Sequence, residues 1–244
     1  MHHVIIDGNS IAHWRFWATP QQQVNGQEVG MLRSFELWLH DVERNMKPGK
    51  MTVCFDSRRN WRYDILPTYK GQRGERHEAL GPQLDRMSDY IAERFGPCCY
   101  EVEGYEADDL CAELATEDAT VISRDKDLRQ LVDDSRGIRV FDPVARVFYD
   151  EAEVMRKHDV PAYRLRELLA IAGDSADNVP GPPEWGKGTA VKAIGETIDF
   201  EHLLETCLAL RLSNVSKRKQ QLFNDSRALV RMNYELVGLR SPAP

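Results

Sequence analysis

Short apolar runs that each close on an aspartate, alternating with helix-length segments, predict an α/β protein with a mostly parallel central sheet flanked by helices. Three such runs lie in the first half of the 244-residue chain. Beyond about residue 149 strand-like runs stop and helical periodicity takes over.

The first run, His3-Val4-Ile5-Ile6-Asp7, is followed by the polar turn Gly8-Asn9-Ser10 and reads as a buried strand ending at Asp7. A helix is predicted over 31–45, leading to a second run, Met51-Thr52-Val53-Cys54-Phe55-Asp56. Residues 62–82 are polar, basic and glycine-rich, which suits a crossover above the sheet edge. Helices follow over 83–95 and 106–117, and a third run, Ala119-Thr120-Val121-Ile122-Ser123, passes into Arg124-Asp125. The second half reads as helices over 165–172, 203–212 and 226–237, interrupted by the turn-rich stretch containing Pro180, Gly181, Pro182, Pro183, Gly186 and Gly188. A boundary near Glu153 separates an α/β core, 1–152, from a helical region, 153–244, and residues 240–244 read as a frayed end. Open parallel sheets bind ligands at the carboxyl ends of their strands. Three strands that each deliver an aspartate therefore mark that edge as functional.

Composition narrows the class. Lys and Arg total 32 against 39 Asp and Glu, a net charge of −7, so the chain as a whole has no basic footprint for nucleic acid. No apolar run approaches the ~18 residues of a membrane span, and no basic-then-apolar leader opens the chain. Five cysteines is an odd number, Cys98 and Cys99 are adjacent, and no Cys-x-x-Cys occurs; reduced thiols in a cytoplasmic protein are expected. The seven histidines show no metal spacing, and His2, His3 and His77 read as surface residues. Neither a Gly-x-Ser-x-Gly elbow nor a Walker loop is present.

The acidic residues are clustered. Besides Asp7 and Asp56 there are Glu106-Ala-Asp108-Asp109, Asp125-Lys-Asp127 and Asp174-Ser-Ala-Asp177. On a helix beginning near Tyr105, Glu106 and Asp109 share a face with Asp108 beside them, at an end whose dipole favours carboxylates. In extended chain Asp125 and Asp127 point the same way. Any one pair is an ordinary cap or turn; nine carboxylates, most of them directed to one edge, repel one another unless cations neutralise them. Oxygen ligands without His or Cys select Mg²⁺ or Mn²⁺ over zinc.

Six ordered motifs between Val4 and Ile194 resemble one family: Val4-Ile-Ile-Asp7-Gly-Asn9; Cys54-Phe-Asp56; Trp61-Arg62 with Pro67-Thr-Tyr69-Lys70-Gly-Gln-Arg73; Glu103-Gly-Tyr-Glu106-Ala-Asp108-Asp109; Asp125-Lys-Asp127-Leu; and Gly173-Asp174-Ser-Ala-Asp177-Asn178-Val-Pro180-Gly181. The chain resembles the 5′-nuclease or flap endonuclease superfamily, in the bacterial and phage branch that includes the 5′→3′ exonuclease domain of DNA polymerase I. The resemblance implies a PIN-like core, a helical arch over about 62–95, and a helix–three-turn–helix element over about 165–195. It places Asp7, Asp56, Glu106, Asp108, Asp109, Asp125, Asp127, Asp174 and Asp177 on the metal-site carboxylates. Lys70 and Arg73 fall on the catalytic basic residues at the arch base. Arg62, Tyr69, Asn178, Gly181, Gly186, Lys187, Gly188 and Thr189 fall on the DNA-binding segments.

The implied activity is structure-specific 5′ nuclease action on DNA, both flap endonuclease and 5′→3′ exonuclease, with two or more Mg²⁺ ions, Mn²⁺ able to substitute, and K⁺ at the hairpin. The implied partners are DNA with a 5′ flap or 5′ end and a polymerase acting in trans; the chain is expected to be a cytoplasmic monomer. Two alternatives are a PIN-like ribonuclease, which lacks the arch and hairpin motifs, and a non-catalytic DNA-binding relative, which would have lost metal ligands. The sequence departs from the pattern in its hairpin, where Glu184 replaces a usual glycine and the lysine is displaced to Lys187; a carboxylate facing phosphate would be repulsive. Trp61 for Phe and Arg124 for a small residue are smaller departures. Setting nine metal-site carboxylates aside from a net of −7 leaves +2 for the rest of the chain, so the acidity is local and DNA affinity depends on metal.

Overall fold

The computed structural model describes residues 1–74 and 77–242. Residues 75–76, inside the expected arch, and 243–244, inside the expected frayed end, lie outside the described residues.

The sheet is built around β1 (His3–Asp7), whose Val4, Ile5 and Ile6 are fully buried, as a strand covered on both faces requires. Helix α1 (Gly8–Ala18) starts directly at the strand end, where Asp7 caps it by accepting the Ser10 N–H. A two-residue hairpin, β2 (Gln23–Val24) and β3 (Gln27–Glu28), leads to α2 (Gly30–Met46) and then β4 (Lys50–Phe55). The crossover carries α3 (Arg62–Ile65), α4 (Gly81–Leu84) and α5 (Met87–Phe95), followed by β5 (Cys99–Glu101), α6 (Ala107–Leu114) and β6 (Ala119–Ile122). A 3₁₀ turn (Asp127–Leu131) precedes β7 (Ile138–Asp142), β8 (Val147–Tyr149) and α7 (Glu151–His158). The rest is helical: α8 (Leu165–Ala172), α9 (Lys187–Gly195), α10 (Phe200–Leu208), α11 (Lys217–Asp225) and α12 (Arg227–Leu236).

The six-stranded sheet has the order β5-β4-β1-β6-β7-β8, parallel throughout except for the β7–β8 pair. From β1 the chain crosses to β4 on one side, and from β6 it crosses to β7 on the other. The switch in direction opens a crevice at the carboxyl ends of β1 and β6, the position that binds ligands in such sheets. Register matters here. Ile6 pairs with Val53 and with Ile122, so Asp7 and Ser123 arrive at nearly the same height along the edge, and Asp56 follows two residues beyond Cys54, the residue level with Asp7.

Among the described residues, three apolar clusters hold the fold together. One packs α1, α2 and α5 on one face of the sheet; the second packs α6, the 3₁₀ turn and α7 on the other. The third joins α8 to α12 and takes in Tyr69 from the crossover, so the crossover base is anchored on the helical half.

The expected helix over 83–95 is two helices. Pro82 in the first turn of α4 starts a helix, and Arg86 then ends it, its side chain bonding the carbonyls of Pro82 and Glu28. Strands β5, β7 and β8 escape the pattern reading because they are three to five residues long and only partly buried. An additional helix, α11, fills the gap between the expected helices of the C-terminal half.

Candidate metal centre

The centre is assembled from the ends of β1, β4 and β6, the start of α6, and the loop between α8 and α9. Asp7, 5% exposed, accepts the Ser10 N–H at 3.0 Å and the Ser123 hydroxyl at 2.7 Å, bridging the crevice between β1 and β6. Burial pushes its pKa up to about 7, and Asp56 and Asp125 add repulsion. Asp56 accepts the Ala107 N–H at 2.8 Å, and its own N–H is held by Asn9. Burial, then the charge of Glu106, raises the Asp56 pKa.

Asp127, Asp174 and Asp177 come together from two loops, each offering an oxygen within 4.8 Å of the others. They line a cavity of about 10 Å³ with Asp108, Tyr69 and Arg62. Asp127 Oδ1 is buried with no donor among the described residues, and burial together with Asp125 and Asp174 raises that carboxyl far above the usual range. An unpaired buried oxygen among three carboxylates is a strongly unfavourable arrangement unless a cation completes it. The donor set is all oxygen, so the residues fit a hard divalent ion.

The expectation for Asp125 and Asp127 needs correction. The chain is not extended there: Asp125 N–H bonds Ser123 Oγ, Asp127 N–H bonds Asp125 Oδ1, and the 3₁₀ turn begins. An aspartate that bonds the backbone two residues on turns the chain. Asp127 joins Asp174 and Asp177, while Asp125 stays near Asp7.

The acidic start of α6 is also not a simple ligand face. Glu106 caps the helix, and Asp109 reaches back to the Glu106 N–H in a capping box. Asp109 is fully buried, and its oxygens accept from Arg62, the Trp61 indole and the Arg240 N–H. It therefore supports the centre from behind. Asp108 faces the cavity and is raised well above its ordinary range by burial, against the pull of Arg62.

Protein cations meet the remaining carboxylates. Lys70 Nζ lies 2.6 Å from Glu106 Oε1; burial pulls its pKa down, but Glu106, Asp177 and Asp108 overcome this and leave it above the usual lysine value. Lys70 has φ +55°, a strained left-handed backbone for a lysine, retained by a bond from its N–H to the Asp177 carbonyl. Arg73 binds Asp177 at 2.6 Å. Lys126, a basic residue outside the predicted site, pairs with Asp174 at 2.9 Å. Its position between Asp125 and Asp127 was the available signal; Ser123 had none beyond ending a strand.

Several expected DNA contacts are internal instead. Arg62 is 2% exposed and lies among Glu106, Asp108 and Asp109, so it cannot reach DNA. Tyr69 is buried, its single hydroxyl proton shared between Glu106 at 3.2 Å and Asp177 at 3.1 Å. Asn178 ties the loop to the crossover through Thr68 and Gln72. Gly181 packs against α8, where a Cβ would sit 2.8 Å from the Ile171 carbonyl, so glycine is needed for packing. Lys187 is tied to Asp159 and the Lys157 carbonyl, and Thr189 accepts from Lys219. Gly186 and Gly188 face open space. Glu184, at φ +64°, is neutralised by Arg218 of α11 at 2.5 Å. Trp185 is buried on Phe223 and donates to the Lys219 carbonyl, so α11 supports the reshaped hairpin.

A mostly parallel sheet presenting carboxylates at its switch point, with basic side chains facing them, defines the class: an α/β protein with an acidic cluster that could hold a metal ion. A family model described as the 5′-3′ exonuclease, N-terminal resolvase-like domain, matches residues 2–159, and the chain belongs to this 5′-3′ exonuclease family. It is 33% identical to DNA polymerase I of Rhizobium leguminosarum, covering 100% of this chain and 25% of that protein. It is 28% identical to a 5′-3′ exonuclease of Streptomyces coelicolor, covering 81% of this chain and 72% of the relative. The chain thus spans about a quarter of the length of the polymerase I relative. Among solved structures, T5 5′-exonuclease with bound divalent metal ions (zinc) aligns with a TM-score of 0.79 at 24% identity, over 98% of this chain and 90% of that one. A bacteriophage T5 flap endonuclease complex with DNA and metal ions aligns at 0.77 and 23%, over 98% and 89%. These structures share the fold.

Proposed function

We propose that this chain is a metal-dependent, structure-specific 5′ nuclease that hydrolyses DNA phosphodiesters at 5′ flaps and 5′ ends in replication or repair. The observation that carries the reading is the convergence of Asp127, Asp174 and Asp177 around an unpaired buried oxygen, directly beside Lys70 and Arg73. When bound, Mg²⁺ or its substitute Mn²⁺ supplies Lewis acidity toward water and phosphate. Asp127, Asp174 and Asp177 would hold it, with Asp7, Asp56, Glu106, Asp108 and Asp125 around them for a second ion.

The chain's own residues do the rest. Lys70, charged and aimed at Glu106, can transfer its N–H bonds to phosphate oxygens as negative charge develops there. Arg73, more exposed, meets the phosphate from the solvent side. Tyr69 and Asn178 fasten the crossover to the carboxylate loop, so the cations and the carboxylates keep one geometry. Open space at Gly186 and Gly188, at the start of α9, leaves backbone N–H groups for duplex phosphates in a helix–three-turn–helix element, with K⁺ at the loop carbonyls. The core 1–152 carries the chemistry together with the Asp174–Asp177 loop, and the rest of 153–244 the duplex grip. We place the protein in the cytoplasm as a monomer.

The test is incubation of a 5′-flap DNA duplex with Mg²⁺. Cleavage at the flap base that EDTA abolishes is expected; no cleavage, or cleavage indifferent to EDTA, refutes the reading. A matched RNA flap cut faster than the DNA one would favour the ribonuclease instead.

A further inference from the structure

Arg62 is the most heavily bonded side chain near the centre, and it touches both the carboxylates and the C-terminal segment. Its Nη1 donates to Glu106 at 3.0 Å and Asp109 at 2.8 Å. Nη2 donates to Asp108 at 3.2 Å, Asp109 at 3.0 Å and the Gly238 carbonyl at 3.2 Å, and Nε to the Leu236 carbonyl at 3.0 Å. Every N–H direction of the planar fork is used, which a lysine point charge cannot reproduce.

The partners extend the pattern. Residues 236–240 form a strap across the back of the centre: Leu236 and Val237 line the cavity that holds Asp127, Asp174 and Asp177, and Gln130 donates to the Val237 carbonyl at 3.2 Å. The Arg240 N–H bonds Asp109, and its guanidinium lies 3.8 Å from the Trp61 ring centroid, with that of Arg62 at 4.4 Å from the same ring. A strap at the end of α12, outside the segment the family model covers, is thereby joined to the carboxylates through the Arg62 side chain and through the Arg240 N–H on Asp109.

We infer that Arg62 is a positioning residue for the metal centre: it presets Glu106 and Asp108 and fastens the 236–240 strap behind them. The inference rests on the metal-centre reading above. Two physical roles give opposite signs. A mere counter-charge competes with the metal, so removing it tightens metal binding. A positioning fork holds the carboxylates in place, so removing it loosens binding, typically 10–100-fold for groups that orient ligands.

The experiment is a titration of the DNA-free protein with Mn²⁺ alone, followed by electron paramagnetic resonance, on wild type, Arg62→Lys and Arg62→Met, with thermal melts on the same samples. Arg62→Lys keeps the buried charge and the stem, so it remains informative where Arg62→Met fails to fold. The expected result is Mn²⁺ affinity weakened about tenfold or more in folded Arg62→Lys. In flap cleavage, excess Mn²⁺ should restore kcat while KM for DNA stays near wild type. Unchanged or tighter Mn²⁺ binding in Arg62→Lys overturns the inference, and so does its failure to fold, which would make Arg62 a fold residue. Wild type that binds no Mn²⁺ overturns the underlying metal-centre reading instead.

Discussion

Replacing Asp7 with asparagine should make the metal-free protein more stable while impairing its function. The Asp7 carboxyl is buried at the end of β1, and burial moves its pKa from 3.8 to about 7. Between those values the native state keeps a proton that the unfolded chain has lost, so stability falls as pH rises from about 4 to about 7. At 1.36 kcal/mol per pH unit, the loss from this one group is about 4 kcal/mol. The asparagine side chain would be neutral and of the same shape, with Oδ1 accepting from Ser10 and Nδ2 donating to the Ser123 hydroxyl in place of the present bond. The variant should therefore melt about 8–16 °C higher than wild type near pH 8 in EDTA, and within a few degrees of it near pH 4. Asp56, Asp108 and Asp127 are also raised and impose a slope of the same sign in both proteins, so the difference between the two reports Asp7 together with the repulsion it shares with Asp56 and Asp125. Circular-dichroism melts across this range measure it. Asp7→Asn melting at or below wild type near pH 8, or keeping the full wild-type slope, would refute the reasoning.

Lys70→Ala should lower kcat for flap cleavage by about 10²-fold with KM little changed, because its N–H bonds act on developing charge; a pure KM effect in steady-state kinetics argues for simple substrate binding. Trp185→Ala removes a buried indole packed 4.6 Å from Phe223 and should cost about 3–5 kcal/mol in urea unfolding. A loss below about 1 kcal/mol would mean that α11 does not anchor the hairpin.

The sheet was readable because β1, β4 and β6 are buried on both faces, and such strands appear as unbroken apolar runs such as Val4-Ile5-Ile6. β8 was not: Val147-Phe148-Tyr149 is an antiparallel edge strand with Phe148 half exposed, and a strand so short carries no period of its own. The carboxylates were readable as residues, since Asp and Glu gather in three sequence groups besides the strand-end pair Asp7 and Asp56. Their division was not. Asp109 and Asp108 are adjacent, yet one is sealed behind Arg62 and the other faces the cavity. Glu184 looked like a repulsive intruder in the hairpin until Arg218, 34 residues later, supplied its partner.

The sequence by itself determined the parallel α/β core, the edge to which its strands deliver aspartates, and the hard-oxygen character of the centre. These follow from local patterns: apolar runs, strand ends, and residue types whose chemistry is the same wherever they lie. The tertiary structure alone decided which carboxylates meet one another, which cation answers each, and that Arg62 belongs to the interior. Those choices depend on groups far apart in the chain, above all the carbonyls of Leu236 and Gly238, which lie more than 170 residues from Arg62. A backbone carbonyl has no side-chain identity, so no sequence pattern can announce that it will complete a buried guanidinium.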